Sequence, residues 1–284
     1  MMKTDAKQTN PDAAVCRGYL IEDYRIFHIN SVEKEAIPPH FHGFHKLILV
    51  IRGNLQYSIE GTVCRVQPGE LLYVPAGAIH QPLIGEEPYE RTVLWISTEA
   101  PELAGLEEAF RTAAEERRYL FSDPGTAERV RRIAEAENEN EFGAAQLKNA
   151  LLTEVLVGFG REALRKSAED GHSPVRTGAG KLQDELTGRV ADYIAEHLAE
   201  DLGTRTLAER FYLSESSLAA RFARAFGCSV HRYVLQKRLV TAARRIRIGI
   251  PPVQAAEEAG FADYSTFYRA FIRYYDVSPK KFRQ

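Results

Sequence analysis

Four side chains in the first third of the chain could do chemistry together: His40, His42, Lys46 and His80. Alternate residues of a strand point to one face, so extended residues 40–42 would turn both imidazoles to the same side, where they could meet His80. Three imidazoles could hold zinc or iron with open positions, or hydrogen-bond a small molecule without metal. Lys46 shares the parity of His42. Turned inward, its ammonium is costly to bury unless paired and would select an anionic ligand such as a carboxylate. Turned outward, it is a snorkelling surface lysine. Tyr57, Tyr73 and Trp95 lie on neighbouring candidate strands, as core or as donor-bearing walls of a ligand pocket. His45 has the opposite parity and is expected to be exposed or at a bulge.

These residues need strands to carry them. The apolar runs Tyr19 to Ile29, Lys46 to Ile51, Leu55 to Ile59, Glu70 to Val74 and Thr92 to Ser97 are separated by Gly, Pro and Asn. The pattern predicts an antiparallel β-barrel over residues 1–100. Helical spacing takes over across 101–166. Leu103, Leu106 and Phe110 recur at three and four, and Leu147, Leu151, Leu152, Val155, Leu156 and Phe159 form an apolar stripe. That stripe needs a partner surface, either the barrel of the same chain or the same helix of a second subunit. Residues 167–182 are rich in Gly, Ser and Pro and read as a linker.

The remainder, 183–284, has a different grammar. In Ala255–Arg273 a small-residue helix face ends at Gly260, a turn residue; Asp263 is placed to cap a second helix, whose Phe267 and Phe271 bury one side. Tyr264, Ser265, Tyr268 and Arg269 are left on the other side, where they could read base edges. About fifty residues upstream the same grammar recurs. Thr206 and Glu209 have capping-box spacing, Ser214 is a cap candidate, and Leu218, Phe222 and Phe226 line a helix ending at Gly227. Its outer face offers Ser216, Ser217, Ala220, Arg221 and Arg224. His231 to Ile248 fits a helix of about five turns joining the two units. Arg269 is the first choice for base readout because a guanidinium can grip guanine bidentately. Arg221, beside the core residue Phe222, is suited to a phosphate.

These elements carry a resemblance. From Arg189 to Arg283 the chain resembles the DNA-binding domain of the AraC/XylS family of bacterial transcription regulators, through LAERFYLSESSLAARF, RLVTAARRI and AAEEAGFADYSTFYRAFIRYYDVSPKKFR. It departs at Asp276, where relatives more often have Gly, at the paired Pro251 and Pro252, and at Ala219 and Ala220, where relatives often have longer polar side chains. His40-Phe-His42 with Lys46 and Gly53, and Gly69, Pro75, Gly77 and His80, resemble the paired motifs of the cupin superfamily. Metal-binding cupins have a Glu where this chain has Lys46, so no metal and no cofactor is favoured; if one binds, His40, His42 and His80 would hold it.

The implied architecture is α+β: a cupin or jelly-roll-like antiparallel barrel, then helices, then an all-α domain with two helix-turn-helix motifs on a long helix. The implied function is a DNA-binding transcription regulator controlled by a small molecule in the barrel. Double-stranded DNA, the effector and a second copy of the chain are its expected partners, with RNA polymerase as a further one. Charge agrees: residues 181–284 hold 17 basic and 12 acidic side chains, against 20 and 27 in the rest. Ten Arg or Lys face Glu209 and Glu215 within 205–250, the local surplus that phosphate neutralisation needs. With 44% hydrophobic residues and neither an apolar run of membrane-spanning length nor a signal-peptide pattern, a soluble cytoplasmic protein with no membrane partner is expected. Cys16, Cys64 and Cys228 have no metal-ligand spacing. Two rival functions are a constitutive DNA-binding regulator with a scaffold barrel and a metal-dependent cupin enzyme.

Overall fold

The computed structural model describes residues 20, 22–31, 37–83, 89–137, 139–170, 180–182 and 184–282. Cys16 and residues 171–179 of the expected linker lie outside them. Among the described residues nine antiparallel strands form two sheets. One has the order β1 (Tyr24–Ser31), β7 (Tyr89–Ser97), β2 (Phe44–Arg52), β5 (Leu71–Val74), β8 (Leu120–Phe121). The other runs β6 (His80–Leu83), β3 (Leu55–Ile59), β4 (Thr62–Val66), β9 (Gly180–Leu182). The barrel is therefore completed by strands from beyond residue 100: β8 from the helical segment and β9 from the end of the expected linker.

Strand β2 is buried on both faces. Phe44, Ile48 and Val50 join Tyr57, Ile59, Val66, Leu72, Val93 and Trp95 between the sheets. Leu47 and Leu49, with Leu71, Tyr73, Leu94 and Ile96, face outward against helices. Those helices are α1 (Glu107–Glu115), α2 (Pro124–Ala136) and α3 (Ala144–Asp170). The stripe Leu151, Leu152, Val155, Leu156 and Phe159 is consumed here, against the outer face of the first sheet in its own chain. Leu147 and Leu164 stay exposed on α3.

The C-terminal domain contains α4 (Glu185–Glu196), α5 (Thr204–Arg210), α6 (Glu215–Phe226), α7 (Val230–Arg247), α8 (Pro252–Glu258), α9 (Tyr264–Tyr275) and α10 (Pro279–Phe282). The caps expected at Ser214 and Asp263 are made: Ser214 accepts from Ser217 N at 3.2 Å and Asp263 from Thr266 N at 2.8 Å. The capping box is not. Helix α5 starts earlier, at Thr204, and the Thr206 hydroxyl donates instead to Asp201 at 2.8 Å. Asp276 caps α9 in the left-handed conformation, φ 57°, which a short polar side chain tolerates better than most. Among the described residues no helix is long and apolar enough to cross a membrane.

Candidate functional site

The three histidines converge. His40 and His80 form a reciprocal backbone bridge, His40 N to His80 O at 3.1 Å and His80 N to His40 O at 2.9 Å. Each imidazole donates its Nδ1 proton to a backbone carbonyl: His40 to Pro38 at 3.0 Å, His42 to Phe44 at 2.8 Å and His80 to Ala78 at 2.9 Å. A carbonyl only accepts, so the Nδ1–H tautomer is imposed and each Nε2 is the acceptor when neutral. His42 Nε2 and His80 Nε2 nevertheless lie 3.2 Å apart. Two lone pairs at that distance call for a shared proton, or for one donor group beside the pair from which both accept. Burial, then the neighbouring Lys46, holds the His42 imidazole well below its ordinary pKa, which favours the neutral ring. Among the described residues no group of three or more His, Cys, Asp or Glu is arranged to hold a metal ion.

Lys46 turns inward. It is 1% exposed, lies between Phe44 and Ile48 on the inner face, and places its Nζ 5.4 Å from the Trp95 ring centre. Tyr57 and Trp95 are inward too; the Tyr57 ring centre is 6.2 Å from that of His80. Tyr73 is a correction. It faces the helices, its ring against Phe110 and Phe159, because on a strand buried on both faces hydrophobicity does not say which side is inside. The inward residue that sequence reasoning missed is Arg91. It is 0% exposed and packs its guanidinium 4.5 Å from the Tyr89 ring centre. The alternation Tyr89, Arg91, Val93, Trp95 was the signal available, since these share the parity of Trp95.

His45 is also corrected. Its opposite parity holds, but the side chain meets helix α1 rather than solvent, with its ring centre 5.0 Å from that of Phe110. Ala76 N–H donates to its Nδ1 at 3.1 Å, and the Tyr73 hydroxyl lies 3.0 Å from the same atom.

On α6, the second helix of the first helix-turn-helix unit, Ser216, Ala220 and Arg224 are exposed and Ser217 is half-buried. Arg221 does not project with them. Its Nε and Nη2 bind both carboxylate oxygens of Asp184, at 2.6 and 3.1 Å. On α9 Tyr264, Ser265, Tyr268 and Arg269 are all exposed. Arg273, one turn beyond Arg269, is exposed as well and adds a second guanidinium to that face; its i, i+4 spacing from Arg269 is the sequence signal that marks it.

The two domains share a packed boundary. Phe41 and Ile79 of the barrel belong to the apolar core of the C-terminal domain. Phe41 stacks on Tyr274 with ring centres 4.0 Å apart, and the Tyr274 hydroxyl donates to the Phe41 carbonyl. Glu60, in the β3–β4 turn, accepts from Tyr233 Oη at 2.5 Å and Lys237 Nζ at 2.6 Å, both on α7, and from Ile79 N at 2.7 Å.

Residues 25–156 match the model of the AraC-like ligand binding domain, and residues 207–284 match that of a helix-turn-helix domain. The chain belongs to the AraC/XylS family of transcription regulators. Similar curated relatives are the HTH-type transcriptional activators RhaS of Salmonella arizonae, 26% identical over 266 residues covering 88% of each chain, and of Citrobacter koseri, 24% identical over 266 residues covering 88% of this chain and 89% of the relative. A similar solved structure is ToxT from Vibrio cholerae, 11% identical with a TM-score of 0.41, covering 93% of this chain and 98% of that one. The regulator is thus a DNA-binding protein with a ligand-binding domain, placed among transcription regulators and not among enzymes.

The regulator's buried histidines make its stability depend on pH. Burial lowers the His45 pKa from 6.5 to about 4. A depressed histidine value means that protonation opposes folding, so the contribution is complete above the unfolded value and is lost as pH falls towards the folded one. The expected loss from His45 is on the order of 3 kcal/mol between pH about 6.5 and about 4, with His42 acting in the same direction. Urea unfolding across that range tests this; an unchanged midpoint contradicts it.

Proposed function

We propose that the regulator reads DNA with α6 and α9 in successive major-groove segments about one helical turn apart, as a cytoplasmic homodimer and with RNA polymerase as a further partner. A small anionic molecule seated between the sheets sets its output. The inward Lys46 and Arg91 supply cations for the anion, the His42–His80 pair accepts from a hydroxyl or amine donor, and Tyr57 and Trp95 form walls. Support for dimerisation is the exposure of Leu147 and Leu164 on α3 after its main stripe is covered.

One observation carries the coupling between ligand and DNA. Along His40-Phe41-His42 and Ile79-His80 the side chains alternate, with histidines in the sensing cluster and Phe41 and Ile79 in the core of the DNA-binding domain. A ligand that shifts the histidines shifts Phe41 and Ile79 with them. Such a shift changes DNA binding only if the two arrangements differ in ligand affinity.

Selection of bound DNA fragments with and without a panel of small carboxylic acids tests the whole reading. A recovered motif whose enrichment responds to one acid supports it; a motif indifferent to all of them favours the constitutive regulator with a scaffold barrel. On that motif Arg269→Ala is expected to cost about 1–3 kcal/mol and to relax preference at one base pair. An equal loss on random DNA would make Arg269 a phosphate contact.

A further inference from the structure

The bidentate pair between Asp184 and Arg221 is unlike the other contacts of the reading helices, because it uses the fork that an arginine offers to a phosphate. Arg221 is on the flank of α6, one turn before the exposed Arg224 and one turn after Ser217, and 40% of its side chain remains accessible. Its partner has no part in α6. Asp184 caps α4, accepting from Leu186 N at 3.0 Å, and the hydrogen bond from Arg221 holds its carboxyl below the usual range. Two residues earlier the chain is hydrogen-bonded to the barrel, with Leu182 opposite Thr62 and Gly180 opposite Cys64.

We propose that Asp184 is a positioning residue for DNA recognition: its carboxylate stands in for a phosphate and holds Arg221 out of the reading face of α6. Because Asp184 lies two residues after the end of β9, a rearrangement of the barrel edge moves the residue that holds this cation. The exposed surface of α6 is short of basic reach, with alanines at 219, 220 and 223. Release of Arg221 would therefore change the phosphate contacts of the first unit more than any other side-chain motion on that helix. The inference rests on α6 being a DNA-reading helix.

Salt titration of DNA binding by the full chain tests it, with a selected duplex and a random one. Asp184→Asn removes the charge and keeps a capping acceptor; Asp184→Ser does the same should the first variant fold poorly. The expected result is a slope of log K against log salt steeper by about 0.9, one added phosphate contact, and a return to the parent slope in Asp184→Asn/Arg221→Gln. An unchanged slope in both capping variants overturns the proposal. So does a steeper slope that survives in the double variant, since it would report only the loss of a repelling carboxylate. Arg224→Ala separates the two levels. If it weakens binding while Asp184→Asn does nothing, only this inference falls; if neither has any effect, α6 does not meet DNA and the functional reading falls with it.

Discussion

Gly260→Ala is expected to unfold the second helix-turn-helix unit under conditions where the parent is folded. Gly260 joins α8 to α9 with φ +89°, and an added Cβ would fall 2.0 Å from the Leu198 carbonyl oxygen and 2.9 Å from Ala199 Cα. Both neighbours are backbone atoms, so no rotamer change relieves the overlap. The left-handed conformation alone costs roughly 1–2 kcal/mol for a residue with a side chain. Displacing the α4–α5 connection brings the total above about 4 kcal/mol, the range reached only by specific structural lesions. Thermal unfolding and binding to the selected duplex read the result. A variant within about 1 kcal/mol of the parent would show that the turn is not built this way.

Phe41→Ala is expected to have the second largest effect, on how the domains hold each other. Phe41 is 3% exposed, stacked on Tyr274, and surrounded by the core of α4–α9 although it belongs to the barrel. Truncating a buried Phe typically costs about 3–5 kcal/mol through lost transfer energy and the cavity left behind. The loss falls on the docked arrangement, because Phe41 packs on Tyr274 in the last turn of α9 and not on the exposed Tyr264, Ser265, Tyr268 and Arg269 of that helix. Hydrogen exchange along α7 should therefore accelerate, and any effector response should weaken, while binding to the selected duplex persists. Unchanged exchange along α7 would mean that the Glu60 contacts with Tyr233 and Lys237 hold the boundary without it.

Much of the reader was legible because its signals are local. Gly260, Asp263, Ser214 and Gly227 act within one turn of themselves, and the spacing of Phe267 and Phe271 fixes the buried side of α9 whatever lies around it. The capping box at Thr206 and Glu209 failed for a related reason. Asp201, five residues away, competes for the same hydroxyl, and Arg205 pairs with Glu209 at 3.0 Å. The barrel was legible only in its long strands. Residues 120–121 and 180–182 are too short to carry a period, and they become strands because β5 and β4 offer them an edge.

The sequence by itself determined the two reading units, their order, the helix between them and the shared parity of His40, His42 and Lys46, since each depends on spacing within a few residues. The tertiary structure alone decided which way Tyr73 and Arg91 point, what covers the stripe on α3, and that Arg221 is held by a residue 37 positions away. It also decided that Phe41 and Ile79 leave the barrel for the neighbouring core. Those outcomes rest on burial and charge pairing between segments far apart in the chain, and neither periodicity nor composition encodes which segments will meet.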